Sequence, residues 1–445
     1  MASTSISRTE ASAGNRKTFT ISLWTKLSNI STARKVFINA GTATPFTNDA
    51  QTELQYRDNQ IKFGGGADNI LITTALYRDV SAWYHIVLSV DTTQATASDR
   101  LKLYVNGEQV TAFATANYPS QNDNYAFNNN VIHYIGSNLD GASSFFDGNM
   151  AHFNSIDGTA YPASTFGETD SLTGIWVPKT SPSVTYGTNG FFLKFASSGS
   201  MGTDSSGNSN NFTVNGNLTQ TQDTPSNVFA TLNPLHFGSD VGTVTMSNGN
   251  LTFSNSGSDS WRPSTQAVSS GKYYAEFKTT GVTGAGGVGI NSGALTGYTG
   301  SGAYDYVYLG NGIVYNNDNN QGGTFASFST NDIIGVAVDL DNNKIYFSIN
   351  GTFQNSADPT SGATGTGAIA VADPSSNGTG FYHFSVGDAG SGTVSFQANF
   401  GNGFFGTTAV ASAQNPDDGI GIFEHDVPTG YRALCTKSIN AQEYS

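Results

Sequence analysis

Two antiparallel β-sandwich domains of the jelly-roll type in tandem, in an all-β chain, are what this sequence predicts, on three observations. Short runs alternating apolar and polar residues recur in both halves, the period of a half-buried strand. Asn-Gly pairs at 106–107 and 350–351 separate such runs, and both residues of that pair suit the positive φ of a tight hairpin. The composition agrees: 52 Gly, 12% aromatic and only 12% charged residues. A helical surface would carry far more Glu and Lys. At 445 residues the chain exceeds one ordinary sandwich and is long enough for two cores.

In the first half, TFTISLWTK at 18–26 places Phe19, Ile21 and Leu23 on one side and Thr18, Thr20 and Ser22 on the other. WYHIVLSVD at 83–91 repeats the pattern with Tyr84, Ile86, Leu88 and Val90 inward, and then Leu101, Leu103 and Val105 run to the Asn106-Gly107 tip. Shorter runs follow at VIHYIGS, FFDGNMAHFNS, GIWVPK and FFLKF. Strands at this spacing without a helical period argue for two packed sheets. Residues 197–234, rich in Gly, Ser, Asn and Thr, read as closing loops plus a connection. The expected boundaries are 1–222 for the first domain, 223–234 for a linker and 235–445 for the second domain. In the latter, GKYYAEFK directs Tyr273, Ala275 and Phe277 to one face and Lys272, Tyr274, Glu276 and Lys278 to the other. Ile345, Phe347 and Ile349 lead to the Asn350-Gly351 tip, and Val394, Phe396, Ala398 and Phe400 share a face.

The succession FTISLWTK, WYHIVLSVD, LKLYVNGEQV, YIGSN and FFDGNMAHFN resembles the laminin-G-like, concanavalin-A-like jelly roll over residues 1–222. That fold hosts lectins, pentraxin-like modules and glucanases, so it does not fix the activity. From 235 to 437, DIIGVAVDLDNNKIYFSINGTF, GKYYAEFK and the late ANFG resemble a SPRY (B30.2-like) sandwich. The resemblance implies a non-catalytic binding module; no PRY segment precedes it, so no peptide site is carried over. The tandem pair, joined through DTPSNVFATLNP and closed by EHDVPTGYRALCTKSI, resembles virion surface proteins of marine bacteriophages. It implies a tail fibre, another appendage or a capsid-exterior protein that contacts other virion structural proteins and host-surface polysaccharide.

The net charge of −14 and the absence of a Lys/Arg cluster argue against a nucleic-acid partner. A single cysteine, Cys435, permits no intrachain disulfide. The start MASTSISRTEAS has no hydrophobic region of a signal peptide, and no apolar stretch is long enough to span a bilayer. The expectation is synthesis in a host cytoplasm and residence on the virion exterior, without membrane insertion. The Asn-x-Thr triplets at 211–213 and 217–219 then reflect composition and not glycosylation.

Hydrolytic chemistry is not expected. Retaining glucanases on this jelly roll carry Glu-x-Asp-x-Glu on one strand face, to flank the scissile bond with two carboxylates; none of Glu10, Glu53, Glu108, Glu168, Glu276, Glu424 and Glu443 has that neighbourhood. The six histidines make no ligand pair, His85 and His383 read as structural strand residues, and Cys435 reads as a small core residue. GAGGVG at 284–289 precedes no helix and reads as a strand bend. Asp339-Leu-Asp341-Asn-Asn343 lacks the glycine and glutamate of a calcium loop and reads as a polar turn. No cofactor is expected; a structural calcium ion fits the acidic balance, with no residues assigned to it. Candidate ligand-binding residues are the aromatics Trp261, Tyr304, Tyr306 and Tyr308, with Trp24 and Trp83 on the more polar faces of their strands, because aromatic rings stack on sugar C–H faces. The rival readings are a carbohydrate-active enzyme and a bacterial adhesin. Weak sugar contacts favour many copies, so a homo-oligomer is expected, a trimer within a fibre.

Overall fold

The computed structural model describes residues 3–30, 32–42, 49–65, 68–236, 242–257, 259–282, 285–293, 297–390 and 392–443. The chain divides into two compact units, Met1–Gln220 and Thr221–Ser445. Both are built from antiparallel sheets, with one α-helix among the described residues, Thr436–Glu443.

The first unit runs β1 Ser5–Thr9, β2 Thr18–Leu27, β3 Lys35–Gly41, β4 Gln51–Arg57, β5 Gln60–Gly65, β6 Asp68–Thr73, β7 Trp83–Asp91 and β8 Leu101–Val105. It continues with β9 Glu108–Gln109, β10 Phe113–Ala116, β11 Ile132–Ile135, β12 Gly148–Asp157, β13 Gly167–Thr169, β14 Trp176–Pro178, β15 Phe191–Leu193 and β16 Thr213–Asn215. Among the described residues an eight-stranded sheet, β10-β6-β5-β4-β3-β11-β1-β16, packs on a six-stranded one, β15-β12-β2-β7-β8-β9. The alternation decides what lies between them: Phe19, Ile21, Leu23, Ile86, Leu88 and Val90 from one sheet meet Ile38, Leu54, Tyr56, Ile61 and Phe63 from the other. Asn106 and Gly107 both take positive φ at the β8–β9 tip, as the hairpin reading requires.

The outer face of the six-stranded sheet is sealed. Val87 and Ile156 carry a second apolar layer with Ala163 and Phe166, joined by Tyr161, Trp176 and Tyr186. Here Trp24 lies flat on His85, with ring centroids 4.6 Å apart, and Trp176 Nε1 donates to His85 Nδ1 at 3.0 Å. The imidazole therefore keeps its proton on Nε2, which reaches Ser22 Oγ at 2.9 Å. Burial pushes His85 down to about 3, so it is a neutral structural residue.

The second unit runs β17 Thr243–Ser247, β18 Thr252–Gly257, β19 Ser260–Pro263, β20 Lys272–Gly281, β21 Gly286–Asn291, β22 Asp305–Leu309, β23 Val314–Asn316, β24 Asn319–Asn320 and β25 Ile333–Asp339. It ends with β26 Lys344–Ile349, β27 Thr352–Phe353, β28 Ile369–Ala370, β29 His383–Asp388, β30 Gly392–Asn399, β31 Phe404–Phe405, β32 Thr408–Ala409, β33 Arg432–Ala433 and α1 Thr436–Glu443. One sheet runs β17-β18-β30-β20-β25-β26-β27, with β28 beside β26 and β33 beside β20; the other runs β19-β29-β21-β22-β23-β24. Tyr273, Ala275, Phe277, Ile345, Phe347, Val394, Phe396, Ala398 and Phe400 fill the space between them.

Two expectations need correction here. Residues 223–234 are not a free connection: Phe229, Ala230 and Leu232 are buried, with bridges from Phe229 to Cys435 and from Leu232 to Ser264. The apolar residues in that Ser/Thr/Asn-rich stretch complete the second core. The side of β20 bearing Tyr274 and Glu276, expected as the polar face, is also covered, because Phe423, Tyr431 and Ala433 of the closing segment pack on Tyr274 and Tyr346. Glu276 accepts from the main-chain N–H groups of Glu424 and His425, at 2.8 and 2.9 Å, and so fastens that segment. In the Asp339–Asn343 turn, Asp339 pairs with Lys272 and Asn342, and Asp341 accepts from Gly271 N. These carboxylates cap a hairpin, and no cluster of three metal-ligating side chains occurs among the described residues.

Candidate functional site

The aromatics singled out from sequence are mostly interior. Trp261 is 0% exposed and packs against the His236 ring, with centroids 4.8 Å apart. Tyr306 and Tyr308 share a face, as their spacing predicts, but that face is the core. Their hydroxyls serve backbone groups: Tyr306 Oη accepts from Ala372 N at 2.9 Å, and Tyr308 donates to Ala326 O. Tyr304, half-buried at the rim of the same core, donates to Ser376 O at 2.8 Å. Trp24 and Trp83 are buried as well. Alternation assigns a residue to one side of a strand; whether that side is open depends on loops distant in sequence.

A different surface gathers polar groups. On β4, Leu54 and Tyr56 point into the first core, so Gln51, Glu53, Gln55 and Arg57 fall on the opposite face. The turn from β4 to β5 is Asp58-Asn59, both with positive φ, the type I′ geometry that fixes hairpin register. That register sets Lys62 beside Gln55 and Gly64 beside Glu53. On the other side, β3 brings Asn39 opposite Glu53 and Gly41 opposite Gln51. One strand further, β11 places Tyr134 beside Asn39, and that ring is half-buried.

These side chains form one network. Arg34 Nη2 donates to the Glu53 carboxylate and, at 2.9 Å, to Asn138 Oδ1. Asn39 Nδ2 donates to the same Asn138 oxygen at 3.2 Å, and Gln55 Nε2 donates to Glu53 Oε1 at 2.6 Å. Lys62 Nζ is tied to Asp58 at 2.7 Å. The 138–143 loop that presents Asn138 is itself braced, since Asp140 accepts from Ala142 N, Ser143 N and Ser143 Oγ. Burial pushes the Glu53 carboxyl upward, opposed by the Arg34 guanidinium. Gln51, Glu53, Gln55 and Asn39 are all at most 6% exposed. Among the described residues, the buried atoms Gln51 Oε1, Gln55 Oε1, Asn39 Oδ1 and Arg34 Nε have no hydrogen-bond partner. Leaving such groups unpaired costs about 1–3 kcal/mol each, a cost shared by buried atoms elsewhere in the fold, Trp24 Nε1 and Trp261 Nε1 among them. Glu53 has no second acid two residues away in the sequence, so no catalytic pattern marks it there. The period-two pattern of Gln-Thr-Glu-Leu-Gln-Tyr-Arg was the signal that could have found the face.

A family model described as the concanavalin A-like lectin/glucanases superfamily (Laminin_G_3) matches residues 2–162, which include this whole face. No curated protein matches the chain. Among solved structures, the SPRY domain of human HERC1 aligns at 16% identity and a TM-score of 0.29, covering 38% of this chain and 96% of that one. The TRIM65 PSpry domain aligns at 12% identity and a TM-score of 0.28, covering 38% and 91%. Neither likeness bears on what this chain binds.

Proposed function

We propose that this protein is a non-enzymatic, lectin-like component of a bacteriophage virion exterior, present in several copies and attaching to host-surface polysaccharide through its first unit. The observation that carries the binding reading is the match of residues 2–162 to a lectin/glucanase model. Glycoside hydrolysis needs two carboxyl groups set across the scissile bond. On β4 the positions two residues either side of Glu53 are glutamines. The virion setting draws its support from the tandem arrangement and the closing EHDVPTGYRALCTKSI segment.

Two measurements test this. The purified chain is expected to be retarded by polysaccharide in native affinity gels while releasing no reducing sugar from laminarin, agar or host envelope polysaccharide. Antibody against it is expected to decorate intact particles of the phage that encodes it. Reducing sugar released at a rate abolished by Glu53→Gln would overturn the non-enzymatic reading, and fully assembled particles lacking the chain would overturn the virion one.

A further inference from the structure

Three side chains with complementary chemistry meet where the chain passes from β2 to β3. Asn29 lies two residues beyond β2, Lys35 opens β3, and Asp147 immediately precedes β12. The backbone holds them in place. Leu27 pairs with Gly148 at the end of the β2–β12 ladder, and Ser28 N extends that ladder to Asp147 O at 3.1 Å. Val36 N donates to Ser144 O at 3.1 Å, and Phe146 packs on Phe37 with ring centroids 5.4 Å apart. The 144–147 segment is thereby pinned to β3 on one side and to the end of β2 on the other. Lys35 Nζ donates to Asn29 Oδ1 at 2.6 Å and to Asp147 Oδ2 at 3.4 Å. Asn29 Nδ2 donates to that same carboxylate oxygen. Each of the three groups touches the other two.

Such a triangle holds what amide transfer requires: an amine as nucleophile, a carboxamide carbon as electrophile, and a carboxylate that reaches both nitrogens. Lys35 is 5% exposed, and burial lowers its pKa against the opposing pull of Asp147. With Nζ 2.6 Å from Oδ1 and a carbonyl bond of ~1.23 Å, Asn29 Cγ lies within about 3.8 Å of the amine. Reacting pairs stand at about 3–3.5 Å. We propose that Lys35 and Asn29 become joined by an isopeptide bond, which the chain forms by itself with Asp147 as the proton carrier. Asp147 takes one proton from the Lys35 ammonium. The freed lone pair forms the Nζ–Cγ bond as the carbonyl electron pair moves onto Oδ1. Nζ then gives up a second proton. Collapse re-forms the carbonyl and breaks the Cγ–Nδ2 bond, and Asp147 hands its proton to the departing nitrogen it already touches. Ammonia leaves and takes the second proton as ammonium, so atoms and charge balance without an oxidant or cofactor. The product ties the end of β2, in the six-stranded sheet, to the start of β3, in the eight-stranded one. Asp339 also reaches a lysine and an asparagine, Lys272 at 3.1 Å and Asn342 at 2.8 Å. Among the described residues no hydrogen bond joins those two to each other, so that set lacks the amine-to-amide contact.

The test is intact-mass spectrometry of the full chain followed by tryptic mapping. The expected mass is one ammonia below that of the sequence. Trypsin cuts after Lys26, Arg34 and Arg57 but not after an acylated Lys35, so residues 27–34 and 35–57 should emerge as one branched species. This localisation separates the bond from ammonia lost by succinimide formation at Asn106-Gly107 or Asn350-Gly351. Lys35→Arg should restore the full mass. Asp147→Ala, which keeps both reactants, should lower the yield of the branched species at least tenfold. The measurement on the unaltered chain decides the matter however the variants fold. Full sequence mass with separate peptides 27–34 and 36–57 overturns the proposal, as does ammonia loss confined to an Asn-Gly pair. An undiminished yield of the branched species from folded Asp147→Ala overturns the role given to Asp147.

Discussion

Replacing Asp305 with asparagine should stabilise the second unit, and by an amount that grows with pH. Asp305 opens β22 and is 1% exposed. Its carboxylate accepts from Gly300 N, and among the described residues its Oδ1 has no partner and no cation pairs with it. Burial pushes its pKa from 3.8 up to about 8. Because the folded state then holds a proton that the unfolded state releases, stability must fall as pH rises from about 4 to about 8, and stay flat outside that window. At about 1.4 kcal/mol per pKa unit, the rise from 3.8 to about 8 caps the penalty at roughly 6 kcal/mol. Relaxation around the charge reduces that cap, and the new amide leaves donors unpaired at a cost of about 1–3 kcal/mol. The expected net gain for Asp305→Asn is therefore about 2–3 kcal/mol at pH 8, and zero or a slight loss at pH 4. For a unit of this size that amounts to a rise in Tm of about 5 °C at pH 8. Trp261 is the one tryptophan of this unit, so its fluorescence, compared with a Trp261→Phe control, follows the relevant transition while calorimetry supplies the Tm. A difference between variant and parent that does not change with pH, or that shrinks as pH rises, would show that Asp305 is held ionised by a partner and would refute the argument.

Two further substitutions test the seals on the outer sheet faces. Glu276→Ala leaves the N–H groups of Glu424 and His425 unpaired beneath the closing segment; a loss of about 2–4 kcal/mol is expected in urea unfolding, with faster hydrogen exchange across 411–434. Trp176→Ala removes the donor to His85 Nδ1 and uncovers Gly107 and Gly167; the half-buried indole should cost the first unit about 2–3 kcal/mol, read as a lower midpoint with unchanged urea dependence.

Strand identity was legible wherever one side was apolar. Phe19, Ile21 and Leu23 alternate against the core in β2, and Asn106-Gly107 and Asn350-Gly351 turn where expected. What a strand pattern omits is the cover. Trp24 alternates with core residues and so reads as exposed, but it is enclosed because Trp176, some 150 residues later, arrives over His85. Tyr274 reads the same way and is enclosed by Phe423. The β3–β4 polar network was illegible for a related reason. Its members come from positions 34, 39, 51–55 and 138, brought together by pairing across three strands, and no short motif spans them. Its amides are also ordinary in an Asn/Gln-rich chain until the structure shows which of their atoms lack partners.

The outer sheet faces are covered in different ways. In the first unit, the outer side of the six-stranded sheet carries a second apolar layer around Phe166 and Trp176. In the second, the nine-stranded sheet lies beneath Phe423 and Tyr431. On the other sheet of that unit, Trp261 packs against the tilted His236 ring and Thr299 rests on Gly387. Each cover removes apolar surface from water and contributes to stability at about 25 cal/mol per Å². The β3–β4 face is buried differently: its groups are Asn, Gln, Glu and Lys, tied together by the Arg34–Glu53 pair and the Asn138 amide. The amide oxygens left unpaired there cost stability that leucine in their place would not.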